Sequence, residues 1–115
     1  MKALKEYPIS VAEVVRARSI VKHLIKPTQL IKYEGFSNLI EAEVYVKHEN
    51  NNPTGSFKIR GGVNLLHHLK QNNIDGVATF STGNHGLSIA TAAAWSGIEA
   101  VVVVPENNNL ANEWL

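Results

Sequence analysis

An α/β fold, with an open, mostly parallel sheet and flanking helices, follows from three features of the sequence. Val77-Ala78-Thr79-Phe80 and Ala100-Val101-Val102-Val103-Val104 are short, apolar, β-rich runs. Between them lies a helix-length stretch entered through the turn Ser81-Thr82-Gly83-Asn84-His85-Gly86. Strand, helix and strand in that space make a βαβ unit, a connection that is right-handed in nearly all proteins. The second run is apolar at every position, as a parallel strand covered by helices on both faces requires.

Taken in order, the elements begin at Ser10 and Glu13, whose spacing is that of a capping box. Val14, Ala17, Val21 and Leu24 then recur at helical spacing and predict an amphipathic first helix, ended by Pro27. The segment 26–31 should be extended, because the residue before a proline is pushed out of the helical region. Glu43-Val44-Tyr45-Val46-Lys47-His48 alternates and reads as a strand. Residues 49–55 are dense in turn formers. A helix follows from Ser56, with Ile59, Val63 and Leu66 on one stripe and Leu69 extending it. Gly61 and Gly62 weaken its first turn by roughly 1 kcal/mol each relative to alanine. Close approach of a second backbone, close approach of a ligand, or tight helix–strand packing would each account for them. The helix after Gly86 should run to Ala94 or Trp95 and close on Gly97 as a left-handed cap. After Pro105 the pattern collapses, and 110–115 is too short for a packed element. Residues 1–41 are read as an N-terminal helix and extended segment, and residues 42–115 as a partial α/β cofactor and substrate domain.

Composition narrows the function. The chain has 115 residues, 44% of them hydrophobic, which is enough for one domain with a small core. Eleven basic and ten acidic residues are interspersed and leave a net charge of +1, so no field directs the chain to nucleic acid or to a membrane surface. The absence of cysteine excludes disulfides, thiolate zinc sites and a cysteine nucleophile. No apolar run is long enough to span a bilayer, and the start lacks the pattern of a secretory signal; the expectation is a soluble, cytoplasmic protein.

Two loops carry chemistry, and in an open parallel sheet ligands gather beyond the carboxyl ends of the strands. Lys58 stands at the mouth of a helix. To react with an aldehyde its amine must be neutral part of the time, and a partly desolvated position beside a positive helix end acts in that direction. Phe57 could offer a flat apolar surface to an aromatic cofactor. The alternative is a solvated surface lysine beside a core phenylalanine. The turn 81–86 offers hydroxyls, a flexible glycine and helix-start amides to a carboxylate or phosphate; the alternative is a plain N-cap. A Walker-type phosphate loop does not fit the spacing Gly55-Ser56-Phe57-Lys58. His67 and His68 point about 100° apart on a helix and make a poor chelate. His23 falls near a helix end, where it could complement the dipole, and His48 has no nameable partner, so no metal site is expected.

Lys26-Pro27-Thr28-Gln29-Leu30, Val44-Tyr45-Val46-Lys47, Pro53-Thr54-Gly55-Ser56-Phe57-Lys58-Ile59-Arg60-Gly61 and Ser81-Thr82-Gly83-Asn84-His85-Gly86, in this order, resemble the tryptophan-synthase-β-like (fold type II) pyridoxal-phosphate enzymes. The serine/threonine dehydratase branch is the nearest, and the resemblance covers roughly residues 26–106. It implies that Lys58 is catalytic, holding pyridoxal 5'-phosphate covalently and then shuttling protons. It further implies that Phe57 packs beside the cofactor ring and that Asn84 bonds the ring hydroxyl. Ser81, Thr82, Gly83 and His85 would receive the substrate carboxylate. The implied reaction is β-elimination of a hydroxy-amino acid such as L-threonine or L-serine to a 2-oxo acid and ammonia. Racemase relatives often carry serine where Thr82 stands, which turns the expectation away from racemisation.

Such relatives run to about three times this length. The part without a counterpart supplies the glycine-rich loop for the cofactor phosphate, the polar residue at the pyridine nitrogen and most of a second domain. The chain is therefore expected to be an incomplete piece of the two-domain architecture, weakly active or inactive alone. It should be a homo-oligomer or be completed by another chain, with a small amino acid as its other partner. A non-catalytic oligomerising fragment, another fold type II activity such as an amino acid racemase, and an unrelated α/β anion binder are the alternatives.

Overall fold

The computed structural model of the protein describes residues 10–107. Helix α1 covers Val11–Val21, and the Ser10 hydroxyl accepts the Glu13 amide at 3.2 Å, as the cap spacing predicts. The Glu13 carboxylate pairs with Arg16. The buried face differs from the predicted stripe. Val14 and Leu24 are exposed, whereas Val21 and Ile25 enter the core and Ile20 packs against it. The helix also stops at Val21, six residues before Pro27. The amides of His23 and Leu24 bond three residues back, to Ile20 and Val21, and this tightened turn swings Ile25 inward.

Strand β1 (Leu30–Lys32) follows the extended segment, and α2 (Glu34–Ile40) comes next. Strand β2 (Tyr45–Lys47) falls within the predicted strand at 43–48, but it pairs antiparallel with β1, away from the parallel sheet. Helix α2 is an element that the sequence reading lacks. It is short, opens on Glu34 and Gly35, and leaves Phe36, Leu39 and Ile40 exposed, so the apolar periodicity that announces a packed helix is missing.

Helix α3 spans Lys58–Gln71 and buries Ile59, Val63 and Leu66, the predicted stripe. Strand β3 (Gly76–Phe80) and strand β4 (Glu99–Val103) pair in parallel across α4 (Asn84–Ser96), which completes the βαβ unit. Gly97 closes α4 in the left-handed conformation, with its amide on Ala94 and that of Ile98 on Ala93. The core lies between α3 and α4, with Ile89, Ala92, Ala93 and Ile98 facing the α3 stripe, α1 against one side and Val77 and Ala100 of the sheet against the other.

Coverage of both sheet faces does not hold for these residues. Alternate positions of β3 and β4 are half-buried, and the rest are open, with Phe80 68%, Val101 53% and Val103 52% exposed. The physical reason is that α3 and α4 both lie on one side. The expectation for 110–115, like that for the N-terminal start, lies outside the described residues. No helix among the described residues is long and apolar enough to cross a membrane.

Candidate active site

Two helix beginnings meet at the site. The approach to α3 is a tight turn in which the Gly55 amide bonds the Asn52 carbonyl at 2.8 Å. Gly55 sits at φ +66°, a conformation that a side chain disfavours. Phe57 is the cap residue of α3 and Lys58 its first helical residue. The Lys58 amide donates to the Ser56 hydroxyl at 3.3 Å, so the approach is stitched locally to the helix. Both side chains are exposed, which overturns the expectation of a partly desolvated lysine. The Lys58 Nζ lies 5.3 Å from the centre of the Phe57 ring.

The second beginning is the turn into α4. Gly83 is its cap residue, and Asn84 and His85 are its first two helical positions. The Ser81 hydroxyl accepts the amides of Gly83 at 3.3 Å and Gly86 at 2.9 Å and donates to the Gly83 carbonyl. Ser81 therefore shapes the loop, and its oxygen is largely committed to that. The first amides of α4 point along the helix axis with the positive end of its dipole. His85 is not loose, because its Nε2 lies 3.1 Å from the Thr79 hydroxyl on β3. Thr82, Gly83, Asn84 and His85 are all exposed.

A serine that the sequence reading does not single out joins the two halves. Ser88, buried in α4, donates its hydroxyl to the Lys58 carbonyl at 2.7 Å. It stands one turn after Asn84, on the same helix face. The backbone of Lys58 and the turn of Asn84 are thus brought to neighbouring parts of one helix pair. Gly62 allows this approach: a Cβ there would fall 2.3 Å from Ser88 Oγ and 2.8 Å from the Ser88 carbonyl oxygen.

A second feature beyond the sequence reading is the clamp behind the lysine loop. Arg60 meets Glu49 through two nitrogens, at 2.7 and 3.0 Å. The same carboxylate accepts from Thr28 and from Asn52. Asn52 in turn donates to the Ser56 carbonyl at 3.2 Å, and Arg60 reaches the Lys26 carbonyl at 3.3 Å. Three stretches of chain, 26–28, 49–52 and 56–60, are held together around the loop that presents Lys58. Opposite charges flanking a turn-rich run are the available signal, but a pairing eleven residues apart needs the fold to become visible. A cleft of about 390 Å³ adjoins this clamp, between Lys26–Gln29 and Asn51–Pro53, and no predicted site residue lines it.

The Arg60 guanidinium bonds, opposed by burial and reinforced by Thr28 and Asn52, hold the Glu49 carboxyl down from 4.5 to about 2. A carboxyl whose pKa is lower folded than unfolded stabilises the fold at pH above the unfolded value. That contribution is lost as pH falls through 4.5 toward 2. With the side chain 20% exposed, about 2 kcal/mol is involved. Urea titrations at pH 6 and pH 3 should show the loss in the wild type and a smaller one in Glu49→Gln. Equal losses in both would remove Glu49 from the account.

Residues 21–115 match the family model described as pyridoxal-phosphate dependent enzyme. The catabolic L-threonine dehydratase TdcB of Staphylococcus aureus (strain N315) is 36% identical over 107 residues, which are 91% of this chain and 31% of that protein. Among solved structures, the serine racemase of Dictyostelium discoideum superposes with a TM-score of 0.85 at 30% identity, over 91% of this chain and 35% of that one. The processed form of threonine deaminase isoform 2 from Solanum lycopersicum does so with a TM-score of 0.75 at 25% identity, over 91% and 31%. The chain thus spans about a third of the length of the relatives it matches.

Proposed function

Because this chain belongs to the family of pyridoxal-phosphate-dependent enzymes, we propose that it is the lysine-bearing part of a lyase of the threonine/serine dehydratase type, working within a longer catalytic unit. The cofactor is pyridoxal 5'-phosphate, and the donor set fits one end of it. An exposed amine begins one helix beside an exposed aromatic ring, and the positive end of a helix dipole opens the neighbouring helix. The observation that carries the reading is the Ser88–Lys58 bond, which joins the amine-bearing backbone to the helix whose start can take an anion.

In this reading Lys58 holds the cofactor aldehyde, with Phe57 beside the ring and Asn84 near its hydroxyl. When bound, pyridoxal phosphate supplies an electron sink for the pair released as a Cα–H bond breaks. Lys58 Nζ, free once the substrate amine has taken its place, would be the atom that accepts the Cα proton. The Asn84 and His85 amides, with Thr82 and Gly83, orient the substrate carboxylate at a helix start, where negative charge is favoured. Ser81 keeps that turn in shape through its own bonds. The β-hydroxyl leaves as hydroxide or, once protonated, as water, and hydrolysis of the enamine yields a 2-oxo acid and ammonia. No glycine cluster suited to the cofactor phosphate occurs in the sequence. The chain alone should therefore bind the cofactor weakly and turn over little.

Racemisation is the second reading, favoured by the superposition on a serine racemase. The test is reduction with borohydride after incubation with pyridoxal phosphate, followed by peptide mapping. The adduct should concentrate on Lys58 among the eight lysines. An even spread over all eight ends the proposal. Where turnover is measurable with L-threonine or L-serine, ammonia and a 2-oxo acid support elimination, and the D-isomer supports racemisation.

A further inference from the structure

We infer that Ser88 and Gly62 act as a matched pair of positioning residues that set the distance between the Lys58 amine and the carboxylate-accepting turn at Asn84; the inference rests on the reading of Lys58 as the cofactor-holding lysine. Neither residue faces a ligand. Ser88 is 1% exposed, and its hydroxyl bond runs thirty residues back along the chain, to the Lys58 carbonyl at 2.7 Å. A serine hydroxyl in a helix commonly bonds a carbonyl of its own preceding turn. Here it is aimed across the interface, at the first residue of the neighbouring helix. By helical geometry the same Lys58 carbonyl also receives the Gly62 amide, one turn later. Ser88 therefore grips α3 at its first closed turn, the turn from which the Lys58 side chain departs.

Gly62 completes the pair by size. The space that a Cβ at position 62 would need is already held by Ser88 Oγ, 2.3 Å away, and by the Ser88 carbonyl oxygen at 2.8 Å. The two positions share one small volume, and how it is filled decides how closely α3 and α4 approach. Gly61, next in sequence, has nothing within 4 Å and cannot play this part. Asn84 lies one turn before Ser88, so a change of interhelical spacing here shifts the turn relative to Lys58. An α-amino acid must reach both ends at once, with its amine toward the cofactor held by Lys58 and its carboxylate at the turn. A simple amine needs only the first. Misplacement on the ångström scale is costly for a ligand that must satisfy two fixed points.

The experiment uses this difference. Adduct formation at Lys58 is measured by borohydride trapping with pyridoxal phosphate, in competition with L-threonine or with 1-aminopropan-2-ol, the same molecule without its carboxylate. In the wild type, L-threonine should protect Lys58 at lower concentration than the amine does, and the ratio of the two isolates the carboxylate contribution. Ser88→Ala leaves trapping without competitor within about twofold of wild type and lowers the protection ratio about fivefold. It also speeds hydrogen exchange at the Gly62 amide. Gly62→Ala lowers the ratio as well, by forcing the helices apart. The double variant Gly62→Ala/Ser88→Ala relieves only the Oγ contact, because the carbonyl oxygen of position 88 still lies 2.8 Å from the new methyl carbon, and its ratio stays as low as that of Gly62→Ala. Ile98→Val, a core truncation beyond the far end of α4, lowers stability without moving the ratio. The inference is overturned if the ratio is unchanged in Ser88→Ala, or if Ile98→Val lowers it equally. Absence of any Lys58 adduct in the wild type is a different result, and it overturns the cofactor reading together with this inference.

Discussion

Gly62→Ala destabilises the chain while Gly61→Ala, one residue earlier, stabilises it. Both glycines lie in the first turns of α3, and both changes remove the same backbone entropy from the unfolded chain, worth about 1 kcal/mol in favour of alanine. At position 61 that gain stands alone, since nothing lies within 4 Å of the new methyl group. At position 62 the methyl meets Ser88, and one of the clashing atoms is a backbone oxygen that cannot rotate away. The helices must separate, and overpacking of this kind costs about 1–3 kcal/mol, enough to reverse the sign. The α3–α4 interface holds Ile59, Val63, Leu66, Ile89, Ala92 and Ala93, so a local separation is felt by most of the core. Urea midpoints of the two variants should move in opposite directions from wild type. A shift in the same direction for both would mean that α3 and α4 do not touch as described.

Lys58→Arg should remove the trapped cofactor adduct altogether. The substitution keeps the positive charge and most of the length. The fold has little reason to respond, because the side chain is exposed and the bonds to Ser56 and Ser88 are made by the Lys58 backbone. A guanidinium, however, stays protonated at any accessible pH and does not condense with the aldehyde. The other seven lysines provide the internal control. Their background labelling should persist unchanged while the Lys58 peptide goes unlabelled. The circular dichroism spectrum and thermal midpoint should match the wild type. Loss of the specific adduct without loss of fold is the combination that assigns the chemistry to this amine. If the label in Lys58→Arg moves to Lys26 or Lys47 with undiminished yield, the binding locus is elsewhere, and the cleft beside Lys26 becomes the place to look.

The parts of the candidate site legible without coordinates are those written in contiguous residues. Lys58, Phe57 and the 81–86 turn each follow from one short stretch, and the structure sets them at the starts of α3 and α4. What escapes is every contact that crosses the chain. Ser88 reads as one more small residue in an alanine-rich helix until α3 is laid against it. Glu49 lies in the turn-rich run and Arg60 in the lysine motif, and neither shows a partner until the turn at 52–55 folds them together. His85 reads as a residue facing substrate, and its tie to Thr79 depends on the neighbouring strand. Ser81 reads the same way, whereas its hydroxyl bonds within its own loop, a detail of backbone geometry that residue types do not encode.

By itself the amino-acid order determined the α3 stripe, the left-handed stop at Gly97, the βαβ unit and the two chemically suggestive loops. These depend on periods of two to five residues and on the conformational limits of single residues. Only the tertiary structure decided that β2 pairs with β1 rather than with the parallel sheet, that one sheet face stays open, and that Ile20 and Ile25, not Val14 and Leu24, join Val21 at the core. Only it brought Ser88 to Lys58, thirty residues back in the chain. The reason is that such pairings are chosen by the free energy of whole surfaces coming together. A local pattern states which faces want burial, and the competition among all of them settles which partner each one meets.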